Sequence, residues 1–326
     1  MNRRDTVLAL IALGVSPFAA KAQEAGKIWR IGVLRPGPDD LVWRENFAPF
    51  RQALRELGFT EGTNLKFEFR VAPGTSDELL ARANELARAK VDAILAMATA
   101  GVSAAAKATA SIPIVAVALE SDPIAQKLAV SLARPGGNVT GLFLDFPELS
   151  GKWIELLREA VPKLARAGVL WDPATGPYLL RGAEIAGASM RVKIIALEAR
   201  SPAQFEIAFR SAAKQKADAL LALSSPVYGS ARKEIAALAL KYRLPAVMPF
   251  PPFADDGGLM AYGPHLTSMF HQAGGVMVKV LRGAPPQEIP IERPTRFELA
   301  VNMKTAKTLG IKFPQSVLLR ADRIIE

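Results

Sequence analysis

Residues 91–101 read VDAILAMATAG, a short buried strand that turns directly into a helix. The part Val91–Met97 is almost unbroken in apolar residues, which is typical of a strand covered on both faces. The small residues 98–101 follow and lead into a helix predicted over Ser103–Thr109. Strands that are covered on both faces belong to parallel sheets flanked by helices, so this stretch predicts an α/β fold.

The same alternation of strand and helix repeats along the chain in two successive runs. The other predicted strands are Ile28–Leu34, Asn64–Val71, Pro113–Leu119, Val139–Leu144, Ala167–Trp171, Lys193–Leu197, Ala219–Leu223 and Pro245–Met248. The other predicted helices are Asn46–Leu57, Thr75–Lys90, Ala125–Ala133, Leu149–Ala160, Gly176–Met190, Pro202–Lys214 and Ala231–Tyr242. Two such runs predict two lobes, each with a parallel sheet and right-handed crossovers.

The C-terminal tail does not continue this regular alternation of strands and helices. It is predicted to hold a strand over Gly257–Gly263, a helix over Leu266–Arg282, a strand over Phe297–Asn302 and a helix over Met303–Leu309. A tail of this length is long enough to cross between the two lobes.

The N-terminus is predicted to be a secretory signal peptide, cleaved after Ala22. Arg3 and Arg4 precede a short apolar run, Val7–Val15, and Ala20-Lys21-Ala22 has the small-x-small pattern of a cleavage site. The run is about half the roughly 20 residues that a membrane span needs. The paired arginines leave both the general secretory and the twin-arginine routes open. We therefore expect an exported protein of the periplasm.

The net charge of +10 does not point to nucleic acid. Removal of the predicted signal peptide takes away three basic residues and one acidic residue, which leaves +8. The remaining basic residues are spread among acidic residues and alanines on predicted helices, as at Arg82, Glu85, Arg88 and Lys90. No dense basic run with interleaved aromatic residues is present, so solvated helix faces explain the charge.

Catalytic and metal-binding patterns are scarce. The chain has no cysteine, which excludes disulfides, thiolate nucleophiles and cysteine metal sites. Its histidines, His265 and His271, are six residues apart and do not share the face of a zinc-binding helix. The sequence contains no nucleophile elbow and no phosphate-binding loop. We therefore expect no enzyme activity, no cofactor and no metal.

Candidate ligand contacts lie in the turns that follow the strands, because open parallel sheets bind ligands at the carboxyl ends of their strands. Arg35 would meet an anionic group and Glu120 a cationic group. Thr99 precedes a helix N-terminus, which suits a carboxylate. The full candidate set is Arg35, Pro36, Thr99, Ala100, Gly101, Glu120, Asp122, Trp171, Asp172, Ser224, Ser225, Tyr228, Phe250 and Tyr262.

The candidates of the second lobe offer a stacking surface at Trp171, a carboxylate for an ammonium group at Asp172, and hydroxyls at Ser224, Ser225 and Tyr228. Structural roles stay open beside these. They are helix capping for Thr99, Asp122 and Asp172, and core packing for Trp171, Phe250 and Tyr262.

Several stretches together resemble a known family. They are residues 50–62 (FRQALRELGFTEG), 107–115 (KATASIPIV), 122–123 (DP), 131–141 (SLARPGGNVTG), 257–264 (GGLMAYGP) and 318–322 (LLRAD). The chain is similar, over nearly all of its predicted mature length, to the ABC transporter substrate-binding proteins that include tryptophan- and tyrosine-type binding proteins. The first loop, residues 35–39 (RPGPD), departs from many members, so the identity of the solute does not carry over.

The resemblance implies a periplasmic-binding fold of type I, with two Rossmann-like lobes, a three-segment hinge and a ligand in the cleft. It places residues 27–144 and 257–285 in an N-terminal lobe and residues 145–256 and 286–326 in a C-terminal lobe. The helix Leu266–Arg282 would pack on the first lobe and the strand at Phe297 on the second.

The function implied is that of the solute-binding component of an ABC importer, a monomer that binds a small organic solute such as an amino acid or aromatic compound. Its partner would be an inner-membrane permease with a separate ATPase. Two alternatives stay open at this point. One is a periplasmic sensor subunit for a membrane receptor, and the other is a secreted hydrolase.

Overall fold

Two sheets organise the chain in a computed structural model, which describes residues 26–37, 41–72 and 76–326. The predicted signal peptide, residues 1–22, lies outside the described residues. Strands alternate with helices along both halves, as the sequence predicts, and the α/β fold class is confirmed.

The strands and helices are bounded as follows. The strands are β1 Trp29–Pro36, β2 Leu65–Ala72, β3 Ala93–Met97, β4 Ile114–Leu119, β5 Val139–Phe143, β6 Arg166–Trp171, β7 Lys193–Glu198, β8 Ala219–Ala222, β9 Ala246–Met248, β10 Met260–Pro264, β11 Ile291–Glu292, β12 Phe297–Asn302 and β13 Arg323–Ile325. The helices are α1 Leu41–Glu56, α2 Ser76–Arg88, α3 Ala98–Ala108, α4 Phe146–Ala160, α5 Tyr178–Ser189, α6 Phe205–Lys214, α7 Pro226–Ser230, α8 Arg232–Lys241, α9 Pro252–Asp255, α10 Leu266–Leu281, α11 Met303–Leu309 and α12 Gln315–Arg320.

The first sheet has six strands in the order β11-β5-β4-β3-β1-β2, and every neighbouring pair is parallel. Its central strands are buried on both faces, in agreement with their continuous apolar sequence. Because all strands run in the same direction, their carboxyl ends lie together at one edge, where the chain turns into α3 and into the loop after β4.

The second sheet has seven strands in the order β13-β12-β10-β9-β8-β6-β7. Its pairs are parallel except β10 with β12, which is antiparallel. The turns after β6 and β8 therefore lie at one edge of this sheet, opposite the corresponding edge of the first sheet.

Helices cover both faces of both sheets. Helices α1 and α10 pack against each other on one face of the first sheet, and α2 and α3 pack on its other face. Helices α4 and α5 pack together on one face of the second sheet, and α6 and α8 lie on its opposite face. The largest apolar core runs continuously from the α1–α10 side of the first sheet to the α4–α5 side of the second.

The chain passes between the sheets at three places: from β5 to α4, from β10 to α10, and from β11 to β12. The predicted lobe boundaries are wrong at two of them. Strand β10 pairs with β9 and β12 in the second sheet, so residues 260–264 do not join the first lobe. Strand β11 pairs with β5, which brings residues 291–292 back to the first sheet. The helix at 266–281 packs on the first sheet and the strand at Phe297 joins the second, as expected.

The helix predicted over Ala125–Ala133 is absent from this described stretch, which forms turns instead. A first turn begins after Asp122, but Lys127 takes a left-handed conformation with φ of 57°, which ends it. Helical periodicity in a sequence does not reveal such a backbone reversal, since lysine adopts it only under local constraint. Helix α1 also begins earlier than predicted, at Leu41 rather than Asn46.

Candidate functional site

A cavity of about 240 Å³ lies between the two sheets, where their carboxyl edges face each other. Its lining comes from the ends of β1, β3 and β4, from α1 and α10, and from the turns of the second sheet after β8 and β9. The lining residues are Arg35, Pro36, Gly37, Trp43, Glu45, Asn46, Met97, Ala98, Ala118, Glu120, Ser224, Ser225, Pro226, Gly229, Ser230, Arg232, Phe250, Pro252, Leu266 and Phe270. The position is the one at which parallel α/β sheets bind small molecules.

Two alanines at the cavity wall have unusual backbone conformations. Ala98, at the junction of β3 and α3, has φ of 56°, and Ala118, near the end of β4, has φ of 55°. A left-handed conformation costs a residue with a side chain about 1–2 kcal/mol. Such conformations concentrate at functional sites, where the surrounding structure holds them in place. Both alanines present little more than backbone to the cavity, which lets a ligand approach the strand ends closely.

Glu120 is the central polar group of the site. It follows β4, is 4 % exposed, and accepts a hydrogen bond from the hydroxyl of Ser224, which follows β8. This hydrogen bond joins the first sheet to the second across the cleft. The pKa of Glu120 is raised to about 7, chiefly by burial; hydrogen bonds from Ser224 and the Thr99 backbone lower it, and the nearby charge of Asp172 adds to the rise.

Asp172 and Ser225 form a second polar pair beside it. The Ser225 hydroxyl donates to Asp172 Oδ2 at 2.7 Å, and Asp172 Oδ1 accepts from the Ala174 backbone N–H at 2.9 Å. Asp172 thus caps the short turn that follows β6, as one of its open alternatives proposed. It also lines a smaller cavity of about 100 Å³ that shares Pro36 and Glu120 with the main one. Ala100 lines this smaller cavity as well.

Arg35 supplies a buried positive charge at the end of β1. Its side chain lines the main cavity, the residue is 4 % exposed, and its guanidinium carbon lies 4.7 Å from the centre of the Trp43 ring. Arg232 also lines the cavity and forms an ion pair with Asp256. The cleft therefore holds basic groups on the α1 and α8 sides and the acidic pair Glu120 and Asp172 between them.

Aromatic side chains form the apolar wall. Trp43 from α1 meets Phe270 from α10 edge to face at 6.2 Å, and Phe250 after β9 meets Phe146 in the same way at 5.9 Å. Phe250 was a candidate from the sequence, but Trp43, Phe270 and Arg232 were missed. Trp43 shares a helical face with Phe47, on which it stacks at 4.7 Å, so a helix predicted to begin before residue 46 would have revealed it.

Three first-half candidates support the site without lining either cavity. The Thr99 hydroxyl accepts from the backbone N–H groups of Glu120 at 3.3 Å and Ser121 at 3.2 Å, so it holds the Glu120 turn rather than a solute. Gly101 packs under the end of β1, where an added Cβ would lie 3.5 Å from the Leu34 oxygen. Asp122 is exposed and accepts from the Ile124 N–H, which caps a turn.

Three aromatic candidates of the second half line neither cavity. Tyr228 is fully buried, its hydroxyl donates to the Ala199 carbonyl at 2.7 Å, and it lines neither cavity, so its role in solute binding stays a prediction. Trp171 packs against the large core. Tyr262 stacks on Phe297 at 6.0 Å. For Trp171 and Tyr262 the core-packing alternative explains the aromatic side chain, and Tyr228, for which the sequence raised no such alternative, also lies in a core cluster.

The described residues contain no group of three or more His, Asp or Glu side chains placed to hold a metal ion. Among the helices within those residues, none is long and apolar enough to cross a membrane.

Comparison with known proteins agrees with this architecture. A family model described as ABC transporter substrate binding protein matches residues 44–325. A curated relative, a tyrosine-binding protein from Clostridioides difficile strain R20291, is 25% identical over 264 residues, which cover 81% of this chain and 76% of the relative.

Two solved structures share the fold. A conserved domain protein from Vibrio cholerae O1 biovar El Tor strain N16961 is 25% identical, with a TM-score of 0.83 over 91% of this chain and 100% of that one. An ABC domain in complex with L-Trp from Streptococcus pneumoniae is 22% identical, also with a TM-score of 0.83, over 92% of this chain and 100% of that one. These neighbours have the type I periplasmic-binding fold. Together with the family match over most of its length, they show that the chain belongs to the ABC transporter substrate-binding protein family.

Proposed function

We propose that this chain is the exported solute-binding component of an ABC importer, and that it traps a small organic solute in the cleft between its two sheets. The observation that supports this most strongly is the hydrogen bond between Ser224 and the buried Glu120, which joins the two halves inside a cavity walled by aromatic rings. A polar link between the two halves, inside a cleft with an aromatic wall, is suited to recognise a solute and to hold the halves together around it.

The proposed solute is an amino acid or a related aromatic compound. The cavity of about 240 Å³ is smaller than the ~300–1,000 Å³ of pockets for drug-sized ligands, so it fits a single small metabolite. Trp43, Phe250 and Phe270 offer ring surfaces for a flat apolar group. Glu120 and Asp172 offer carboxylates for an ammonium group. The names of the relatives, one a tyrosine-binding protein and one solved with L-Trp, favour the same class.

The proposed mechanism is closure about the three segments that cross between the sheets. Two of these segments are joined by an ion pair, in which Arg293 Nη2 lies 2.6 Å from Asp145 Oδ2. The third is joined to its neighbour by a hydrogen bond of 3.0 Å from the His265 N–H to the Arg296 carbonyl. These links hold the crossings together as one hinge, about which opening would break the Ser224–Glu120 hydrogen bond. A solute that binds both halves favours the closed form by its differential affinity for that form.

The proposed location is the periplasm, and the proposed partner is an inner-membrane ABC permease with a separate ATPase. The proposed oligomeric state is a monomer. N-terminal sequencing of protein recovered from a periplasmic extract tests the export step, and the expected first residue is Gln23. Recovery of the intact N-terminus from the cell interior would contradict it.

The binding function is tested by native mass spectrometry of protein purified without added ligand, followed by a thermal-shift screen of amino acids and aromatic acids. We expect a co-purified small molecule, and at least one compound that raises the melting temperature. A ligand present at 100 times its Kd stabilises the folded protein by about 2.7 kcal/mol, which such a screen detects readily. If no small molecule co-purifies and no compound in the panel shifts the melting temperature, the binding function is wrong.

A further inference from the structure

We propose that the smaller cavity is a second compartment of the solute site, and that it takes a short alkyl group carried by the cationic nitrogen of the solute. The solute would then be an N-alkylated aromatic amine or amino acid. This inference rests on the proposed solute-binding function and deepens it, because it gives an occupant to a cavity that the proposed function leaves without one.

The two cavities share one part of their walls. Pro36, Gly37, Ala98 and Glu120 of the first half and Pro226 of the second half line both of them. Of these five residues, Glu120 alone has an ionisable side chain. A cationic group bound to Glu120 would therefore lie where the cavities adjoin, with room for one substituent in each cavity.

The two halves of the protein approach each other closely at this shared wall. A Cβ added to Gly37 would lie 3.3 Å from the Cβ of Pro226, which begins α7 in the second half. Gly37 has φ of 88°, a conformation that glycine adopts without strain. Each cavity has walls from both halves, so a group that fills the smaller cavity favours closure in the same way as the solute body in the larger one.

The wall that belongs to the smaller cavity alone is mostly aliphatic. Ala72, Leu79 and Ala100 line it from the first half, and Val227 lines it from the second. None of the described residues around this cavity is aromatic, whereas three aromatic rings line the larger one. Burial of an alkyl group against such a wall is favourable because it removes apolar surface from water. The larger cavity thus suits the ring of a solute and the smaller cavity suits an aliphatic substituent.

The charge of the lining indicates that this substituent is attached to a cation. Asp172 is 3 % exposed and lines the smaller cavity together with Glu120, and no basic residue is among the described residues around it. The larger cavity differs, because Arg35 and Arg232 contribute to its lining. An ammonium group with one alkyl substituent keeps its positive charge and two N–H donors, which match the two carboxylates in number. An alkylammonium group therefore suits both the acidic and the aliphatic part of the wall.

The volume of the smaller cavity sets the length of the alkyl group. The cavity measures about 100 Å³. A water molecule takes up about 30 Å³ of liquid, and a CH₂ group needs about the same, so a chain of roughly three carbons fills the space. Each CH₂ group that is fully buried should raise the affinity by about fourfold until the cavity is full.

The test is a series of probes that differ only in the alkyl group. The probes are L-tryptophan, its Nα-methyl, Nα-propyl and Nα-hexyl derivatives, and α-methyl-L-tryptophan, which has the added methyl on carbon instead of nitrogen. The same five compounds built on L-tyrosine form a second set. Affinities are measured by calorimetry with the wild type and with Ala100→Leu, Val227→Ala and Ala106→Leu. Ala106→Leu is the matched control, because Ala106 is half-buried in α3 like Ala100 and lines neither cavity.

For the wild type we expect the Nα-methyl compound to bind about fourfold more tightly than the parent amino acid, and the Nα-propyl compound roughly 10- to 50-fold more tightly. The Nα-hexyl compound should gain nothing beyond propyl, and the α-methyl compound should bind more weakly than its Nα-methyl isomer. Ala100→Leu fills the smaller cavity and should abolish the gain from propyl, with the affinity for the parent amino acid within about threefold of wild type.

Two further variants complete the expected pattern. Val227→Ala enlarges the smaller cavity from the second half, so the Nα-hexyl compound should now bind more tightly than the Nα-propyl compound. Ala106→Leu should leave the order of affinities as in the wild type. If Ala100→Leu does not fold, the wild-type series and Val227→Ala still decide the question.

Other results overturn the inference in distinguishable ways. If the Nα-methyl compounds bind the wild type more weakly than the parent amino acids or the α-methyl isomers, or if affinity keeps rising to hexyl, the smaller cavity does not hold an alkyl group on nitrogen. If Ala100→Leu weakens all probes equally, Ala100 has only a structural role and the compartment is wrong. If no probe binds but a small molecule co-purifies, this inference fails while the solute-binding function stands. If no probe binds and nothing co-purifies, both fail.

Discussion

The proposed role of Glu120 predicts that affinity for an amino acid depends steeply on pH below 7, because Glu120 would have to be an anion to bind the ammonium group. The pKa of Glu120 is raised to about 7, mainly by burial, so the neutral acid predominates below that pH and the anion above it. At pH 5 about one site in a hundred is ionised. The affinity should therefore fall about 100-fold from pH 8 to pH 5, which corresponds to about 2.7 kcal/mol.

The assay is isothermal titration calorimetry at pH 5, 6, 7 and 8, with the amino acid that gives the largest thermal shift. Repeating each titration in buffers of different ionisation enthalpy counts the protons released, and we expect close to one per ligand at pH 5 and almost none at pH 8. Glu120→Gln should remove the pH dependence and bind weakly throughout. Glu85→Gln, a change at a half-buried residue outside the cleft that pairs with Arg70 and Arg82, should behave as the wild type.

The raised pKa of Glu120 should also affect the stability of the ligand-free protein, which should fall as the pH rises, whereas the affinity rises. The pKa of Glu120 is raised above its ordinary value of 4.5, so its contribution to stability is fully present below pH 4.5 and is lost as the pH rises through 7. The loss is at most about 3 kcal/mol. A wild-type affinity that is flat with pH, or a pH dependence that survives in Glu120→Gln, would refute this reasoning.

Three further outcomes follow from the packing. Gly274→Ala should destabilise the protein by about 1–3 kcal/mol in urea unfolding, because its Cβ would lie 2.6 Å from the Cβ of a residue on α1; its neighbour Gly275→Ala faces open space in the same helix and should stabilise it by about 0.5–1 kcal/mol. Ser224→Ala removes the cross-cleft hydrogen bond and should raise the radius of gyration of the ligand-free protein in X-ray scattering, whereas Ser225→Ala, whose partner lies on its own side, should not. Tyr228→Phe should lower the stability by about 1 kcal/mol and leave solute affinity unchanged, and a large loss of affinity would support its predicted role in binding.

Sequence patterns predicted the alternation of strands and helices well, because buried parallel strands are continuous apolar runs. The strand Phe297–Asn302 and the helix Met303–Leu309 match the structure at both ends. The pairing of strands was harder to predict from the sequence. Strand β11 has two residues and β13 three, too few to show any periodicity. Their positions depend on neighbours far away in the chain, and the predicted lobe boundaries were displaced for that reason.

The candidate site likewise has residues that the sequence predicted and residues that it did not. Arg35, Glu120, Ser224 and Phe250 were predicted from the sequence and line the cavity, because each follows or ends a strand at the carboxyl edge of its sheet. The rule locates the turn but does not tell which way each side chain points. Residues that reach the cleft from helix faces, such as Trp43, were missed because their spacing is that of ordinary core residues.

Thr99 illustrates the difficulty most clearly. A hydroxyl before a helix N-terminus predicts an anion site, and Thr99 does lie at that point in the structure. Its hydroxyl is instead bonded to the Glu120 turn, and its backbone hydrogen-bonds the Glu120 carboxyl. The helix end thus receives a carboxylate from the protein itself, a tertiary contact between residues 21 positions apart that no local pattern contains.

The path of the chain has a consequence for its biosynthesis. Helix α10 and strand β11 complete the first sheet, yet they are encoded by residues 266–292, after the whole run from β6 to β10. During synthesis, the aromatic face of α1 therefore stays uncovered until residues 266–292 have left the ribosome. Folding of a nascent chain that still lacks this segment should stall, and truncation before residue 266 should produce an aggregation-prone fragment rather than a small stable domain.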